Sequence, residues 1–308
     1  MISTPRGLQT PENSMRGEYS LANSQRATKL SMECDRAARR DRILMCAPDN
    51  FGVEYVINPW MENQIGEARR SLAWEQWMNL RRLLSLTADL TFITPVPGLP
   101  DMVFTANAGL VIEDTVVVSR FRAEERRSEE EIFRDWFDRQ GFTIAPWPAD
   151  VAFEGAGDAL VDCERRLIWC GHGWRSSARA AELLEMIFAR EAIRLRLVDP
   201  RFYHLDTCFC PLAGGWLMYY PPAFDADSRE VIAAMTPERK RIEVSETDAM
   251  SFACNSVDVD GHLYMNDASD ELQSQLRDAG FAPVLTPLSE FLKAGGSAKC
   301  LTLKLTDK

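Results

Sequence analysis

Histidine is scarce in this chain, with three among 308 residues, so any imidazole chemistry must come from His172, His204 or His262. Long apolar runs are missing too. None approaches the roughly 20 residues needed to cross a bilayer, and the start of the chain lacks the basic, then apolar, then small-residue order of a secretory signal. These absences argue against a membrane partner and predict a soluble, cytoplasmic protein. Positive charge is in deficit, with 35 Lys and Arg against 46 Asp and Glu and a formal charge of -11. Such a surface repels phosphate backbones, which argues against nucleic acid, and its field draws in cationic small molecules. Several mechanistic signatures are also absent. There is no G-x-S-x-G elbow for a serine hydrolase. Neither a G-x-G-x-x-G after a strand nor a G-x-x-x-x-G-K-[ST] phosphate loop occurs.

Cysteine is present, at eight residues. Without a secretion signal, these read as reduced thiols and not as a disulfide framework. Cys46, Cys163, Cys170, Cys208, Cys210 and Cys254 lie in or beside apolar strand-like runs. There a free thiol behaves as a small core hydrophobe. Cys208 and Cys210 near His204, and Cys163 and Cys170 near His172, lack the short gap and matching second half of a zinc site, so no metal is expected.

Residues 1–41 are rich in Ser, Arg, Asn, Gln and Thr and show no sustained period, which predicts a disordered extension. Glu12, Glu18, Glu33 and Asp35 carry the wrong charge for a transit peptide. Folding is expected to start at the apolar run Ile43-Leu44-Met45-Cys46, with residues 42–308 as one domain. Within it, one plan recurs: a polar residue, a short apolar strand, a polar turn and a second apolar strand. The segments are NAGLVIEDTVVVSRF from Asn107, GDALVDCERRLIWCG from Gly157, DTCFCPLAGGWLMYY from Asp206 and NSVDVDGHLYMN from Asn255. A last one, CLTLKL from Cys300, stops after one strand, and the strand near Cys46 is expected to supply its missing half.

These starting points are 50, 49, 49 and 45 residues apart. Helix-compatible stretches lie between them, at 125–142, 176–194, 228–233 and 268–280. A hairpin and helix repeating about every 48 residues predicts quasi-equivalent units closed around an axis, because one unit is too small to bury its own sheet. In such a ring the polar residues that open each segment converge on the axis.

The converging set is Asn107, Glu154, Asp158, His204, Asp206, Asn255 and Cys300. A thiol needs a base or a positive field to become a thiolate, and a departing amine needs a proton donor. His204 can serve both needs. Gly155-Ala156-Gly157 reads as a tight turn that lets Glu154 and Asp158 approach the axis.

FTANAG (104–109), FEGAGDAL (153–160), YHLDTCF (203–209) and GGSAKC (295–300) resemble the four signature blocks of the guanidino-group-modifying superfamily, the penteins. That superfamily includes arginine deiminases, dimethylarginine dimethylaminohydrolases and amidinotransferases. The resemblance covers about residues 43 to 305. It implies a five-bladed pseudosymmetric α/β propeller with its site at the centre. It also implies Cys300 as nucleophile, His204 as acid/base and Glu154 as the carboxylate that holds a guanidinium, with Asp206 as the acid beside the histidine. Arg126 and Arg175 resemble the arginines that clamp a substrate carboxylate.

Arginine deiminases carry Asp in an F-T-R-D block where this chain has Asn107. The pair Asn58 and Asn107, with Glu154, His204 and Cys300 following, is similar to the arginine dihydrolases, which take arginine to ornithine, ammonia and carbon dioxide. Asn58, Asn107, Arg126, Arg175, Asp206 and Asp158 are thus expected to contact substrate, with arginine or a methylated arginine as that substrate and no cofactor. The alternatives are a dimethylarginine dimethylaminohydrolase, then an amidinotransferase, and outside enzymes a ligand-binding propeller. Homo-oligomer formation is left open.

Overall fold

The computed structural model describes Met1 and residues 40–305. The extension expected over residues 1–41 lies, apart from Met1, Arg40 and Asp41, outside the described residues. The chain enters along strand Arg42–Cys46 (β1), whose last four residues are buried, then forms helix Arg70–Leu84 and strand Asp89–Ile93 (β2). Ala73, Trp77, Leu80 and Leu84 mark the buried face of that helix at three- and four-residue steps.

Four units of one pattern follow. In the first, Gly109–Ile112 (β3) and Thr115–Val118 (β4) form an antiparallel hairpin with Gly109 opposite Val118. Helix Glu129–Arg139 then leads to Thr143–Ile144 (β5), which lies parallel to β4. The second unit is Ala159–Asp162 (β6), Leu167–His172 (β7), helix Arg179–Phe188 and Ala192–Arg196 (β8). The third is Phe209–Leu212 (β9), Trp216–Tyr219 (β10), helix Ala226–Met235 and Arg241–Glu243 (β11). The fourth is Val257–Val259 (β12), His262–Met265 (β13), helix Asp270–Asp278 and Ala282–Leu285 (β14).

The fifth sheet closes the ring with the first and last strands among the described residues. Leu303–Lys304 (β15) pairs antiparallel with β1, Ile43 opposite Lys304, and β1 pairs parallel with β2. Among the described residues there are five three-stranded sheets, each an antiparallel pair plus one parallel strand. This is the five-bladed pentein propeller, and the strand near Cys46 completes the last unit as the repeat implied.

Three details differ from the sequence-based expectation. The helix expected over 176–194 stops at Phe188, because Ala189 takes a left-handed conformation, and Ala192–Arg196 is a strand. Each unit also has a third strand after its helix that the hairpin-and-helix pattern did not contain. Cys163 is exposed and not a core residue, because it follows β6 directly at the hairpin tip.

The turns that open the inner strands stack on one another at the axis. Ala106 donates its backbone N–H to Cys300 O at 3.1 Å, joining the first unit to the last. Gly155 has a φ of +60°, and a Cβ there would lie 2.8 Å from Ala106 O. A Cβ on Gly157 would collide with the Asn107 amide, so only glycine lets these turns approach.

Candidate active site

Cys300 is buried at 2% exposure in the turn that follows Gly295-Gly296. Gly295 has a φ of +81°, and a Cβ there would lie 2.7 Å from the Tyr203 hydroxyl, which donates to Gly295 O. Gly296 packs directly against the Phe104 ring. The Cys300 thiol contacts Asp206 Oδ2 at 3.4 Å and accepts from Asn255 Nδ2 at 3.1 Å. Burial, with Asp206 beside it, holds this thiol well above its ordinary pKa, against the donors from Ser297 and Asn255.

Glu154 is fully buried and is met from three sides. Arg175 Nη1 lies 2.9 Å and His204 Nε2 2.8 Å from its Oε2, and Arg122 N–H donates to Oε1 at 3.2 Å. Burial alone would raise this carboxyl, but Arg175, His204 and Arg126 outweigh it and hold it below the usual carboxylate range. Arg175 also donates to Ile57 O at 2.8 Å and lies 4.8 Å from the Tyr203 ring centre.

Asn107 uses both ends of its amide. Nδ2 donates to Glu154 O at 3.1 Å, and Oδ1 accepts from Arg126 Nη1 at 2.9 Å. Arg126 is buried and held by both oxygens of Glu129, at 3.0 and 2.8 Å, with Asp101 Oδ2 at 3.9 Å. Asn58 accepts from the N–H groups of Trp60 and Met61 and donates to Ala294 O at 3.1 Å, so its amide caps one turn and ties it to the Cys300 loop.

Asp206 is pushed up to about 6 by burial, which His204, Lys299 and Cys300 oppose. Its Oδ1 has no hydrogen-bond partner among the described residues. Asp158 is raised by burial and engages Ser176 N at 3.1 Å, Ser176 Oγ at 2.6 Å and Leu205 N at 3.1 Å. Those bonds fix the turn that carries His204.

A narrow cavity opens over Cys300, with Asn58, Asn107, Arg126, Arg175 and Tyr203 in its wall. Five expected site residues therefore share one wall: Cys300, Asn58, Asn107, Arg126 and Arg175. Glu154 adjoins it through Arg175, His204 through Glu154, and Asp206 through Cys300. Asp158 lies behind it. Tyr203, Asp101 and Glu129 were not singled out from the sequence. Tyr203 directly precedes His204, which was a usable signal. Glu129 opens an acidic helix start that reads as solvated surface. Among the described residues no three His, Cys, Asp or Glu side chains converge as a metal-ligand set. Nor is any described helix long and apolar enough to cross a membrane.

Comparison with known proteins follows the same lines. Residues 58–306 match the family profile described as N,N dimethylarginine dimethylhydrolase, eukaryotic. The chain is 52% identical to the bifunctional arginine dihydrolase/ornithine cyclodeaminase AgrE of Nostoc sp. over 268 residues, which are 87% of this chain and 38% of that protein. It is 39% identical to the N(G),N(G)-dimethylarginine dimethylaminohydrolase of Mycobacterium tuberculosis over 91% of this chain and 90% of that one. A crystal structure of the N-terminal domain of ArgZ, a cyanobacterial arginine dihydrolase, captured as a cysteine-to-serine variant with substrate, superposes with a TM-score of 0.86. That match is 52% identical and covers 87% of this chain and 98% of that domain. The chain spans about 38% of the length of the bifunctional relatives it matches.

Proposed function

This chain belongs to the dimethylarginine dimethylaminohydrolase family of guanidino-modifying penteins, and from that premise we propose that it hydrolyses arginine to ornithine, two ammonia and carbon dioxide. The observation that carries this reading is the neutral Asn107 amide. It is fixed between Arg126 and the Glu154 carbonyl, in the same cavity wall as Cys300. The proposal concerns the guanidino chemistry alone, since this chain spans a minor part of the bifunctional relatives.

Arginine's guanidinium is held by the Glu154 and Asp206 carboxylates through charge-assisted hydrogen bonds. Its charge then lies beside a thiol that burial keeps protonated in the empty site, and an adjacent cation favours the thiolate. Cys300 Sγ attacks the guanidinium carbon while His204 protonates departing ammonia, leaving a thiouronium on the cysteine. Water deprotonated by His204 cleaves that C–S bond and gives a bound citrulline. A carboxylate at position 107 would face the new ureido oxygen as a like-polarity acceptor. The Asn107 Nδ2 has a second hydrogen beyond the one given to Glu154 O, and can donate it to that oxygen. Cys300 Sγ then attacks the ureido carbon of the retained citrulline, ammonia leaves and a thiocarbamate forms. A second water cleaves its C–S bond, returning the thiol and a carbamic acid that breaks down to carbon dioxide and ornithine.

Arg126 and Arg175 are the groups to receive the substrate carboxylate. Each already has an internal partner, so the carboxylate joins an existing ion-pair network.

A second reading, hydrolysis of dimethylarginine to citrulline and dimethylamine, is favoured by the nearly full-length match to the mycobacterial enzyme. The deciding experiment is a mass-spectrometric product profile from arginine, methylated arginines and agmatine. Ornithine with two ammonia per arginine supports the proposal. Citrulline alone from arginine overturns it, and dimethylamine from dimethylarginine supports the second reading.

A further inference from the structure

Asn255 has no place in the cavity wall, yet its side chain is the most completely used amide among the described residues. It is fully buried, and it makes four bonds. Its Oδ1 accepts the backbone N–H groups of Ser297 and Cys300, each at 3.1 Å. Its Nδ2 donates to Asp206 O at 3.1 Å and to Cys300 Sγ at 3.1 Å. Two donor hydrogens and two acceptor sites are the whole inventory of a carboxamide, and each has a partner. The orientation of the amide is fixed as well, since two backbone N–H groups on one side require the oxygen there.

We propose that the Asn255 carboxamide is the donor that holds the Cys300 thiolate for attack on the substrate carbon. This rests on the reading of Cys300 as nucleophile. Asn255 fixes the backbone of the turn that bears Cys300 and, through the other end of the same group, directs an N–H at its sulfur. A donor of this kind stabilises the anion more than the thiol, because its hydrogen bond strengthens as the acceptor gains charge. The thiol proton has an acceptor at 3.4 Å, Asp206 Oδ2.

Asp206 and Tyr203 are the titratable groups that face Cys300, while His204 and Lys299 act on Asp206. None of them supplies a neutral donor to the sulfur. Aspartate at position 255 could accept from both backbone N–H groups, but it would turn an anion toward the sulfur and toward Asp206 O.

The test uses the substrate-free full chain in a Cys163→Ser background, which removes an exposed thiol. Alkylation of Cys300 by iodoacetamide is followed against pH, with peptide mass spectrometry assigning the label. Asn255→Ala should raise the apparent pKa of alkylation by about one unit, and Asn255→Asp by more. At neutral pH kcat/KM should fall about tenfold per unit of rise, and raising the pH should recover activity in Asn255→Ala. A purely structural role would lower the melting temperature and leave the pH profile in place. Alkylation profiles that superimpose on wild type in both variants would overturn the proposal, and either variant alone is sufficient if the other does not fold. Turnover that survives in Cys300→Ser, with alkylation still shifted by Asn255→Ala, would remove the nucleophile assignment and leave the amide–sulfur contact standing.

Discussion

Around Glu154 a guanidinium, an imidazole and a backbone N–H converge on one carboxylate, and they keep it ionised although it is fully buried. Around Cys300 the hydrogen-bonding neighbours are a carboxyl and a carboxamide, and burial pushes the thiol well above its ordinary pKa. Both groups are equally desolvated, so burial does not distinguish them. The formal positive charge in contact does. One half of the site carries a buried anion, and the other carries a thiol with no cation in contact. In the proposed reaction a bound guanidinium brings to the Cys300 half, for the first attack, the positive charge that its own neighbours lack.

Removing the reactive group is the most severe way to break the comparison. Cys300→Ser should lose more than about a thousandfold in kcat, because serine in the same surroundings has no accessible anion. Its unfolding midpoint should stay near wild type, since the side chains are nearly isosteric. Turnover at a tenth of the wild-type rate would exclude Cys300 as nucleophile.

The next largest effect tests the other half. Glu154→Gln leaves the buried Arg175 and His204 without their carboxylate. Breaking a buried pair in this way costs about 3–5 kcal/mol of stability, and kcat/KM should fall by roughly a hundredfold or more as the guanidinium loses its main anchor. The pH dependence has a definite sign. Glu154's folded pKa is below its unfolded value, so its stabilisation is present above about pH 4.5 and is lost as pH falls toward the folded pKa. Urea melts across that window should therefore converge for wild type and variant on the acid side. A constant difference in stability from pH 7 to pH 3 would show that Glu154 acts by shape and not by charge.

A smaller effect comes from the substrate side. Agmatine lacks the carboxylate and should lose on the order of 2–5 kcal/mol in kcat/KM relative to arginine if Arg126 and Arg175 bind that group. Both arginines are internally paired, Arg126 to Glu129 and Arg175 to Glu154, which places the expectation toward the lower end of the range. Equal efficiency with both substrates would assign the two arginines to holding Glu129 and Glu154 alone.

Much of this asymmetry could be read before any coordinates. The inner hairpins were legible because their strands are short, continuously apolar and each opened by a polar residue, and β3 and β7 are indeed buried almost throughout. The outer parallel strands were not. β5 has two residues and β14 has none fully buried, so neither carries an apolar run or a clean alternation. Cys300, His204 and Glu154 stood out through their place in the repeat. The carboxylates that pair Arg126 did not, because Asp101 comes from a loop and Glu129 from a helix start, and no repeat relates them. Asn255 was legible as a repeat position, but its contact with sulfur depends on the path of the Ser297–Cys300 turn.

The smallest expected change tests whether the neutral group between the two halves decides how far the reaction goes. Asn107 donates to Glu154 O and accepts from Arg126, and the proposed reaction assigns its remaining hydrogen to the ureido oxygen. Asn107→Asp keeps the acceptor that Arg126 needs, so the fold around Arg126 should survive. Its second oxygen would oppose Glu154 O and the substrate oxygen, and it would be ionised, with a reference pKa near 3.9. The first attack, on a cationic guanidinium, tolerates an added carboxylate. The second attack, on neutral citrulline, does not, because the like-polarity oxygens weaken its retention. Single-turnover product partitioning on arginine should therefore shift from ornithine toward released citrulline in the variant, while formation of the first ammonia changes by no more than about tenfold. An unchanged ornithine fraction would move control of the second round away from Asn107. Asn58 would be the next residue to substitute, since its amide ties the Trp60 turn to the Cys300 loop from the same cavity wall.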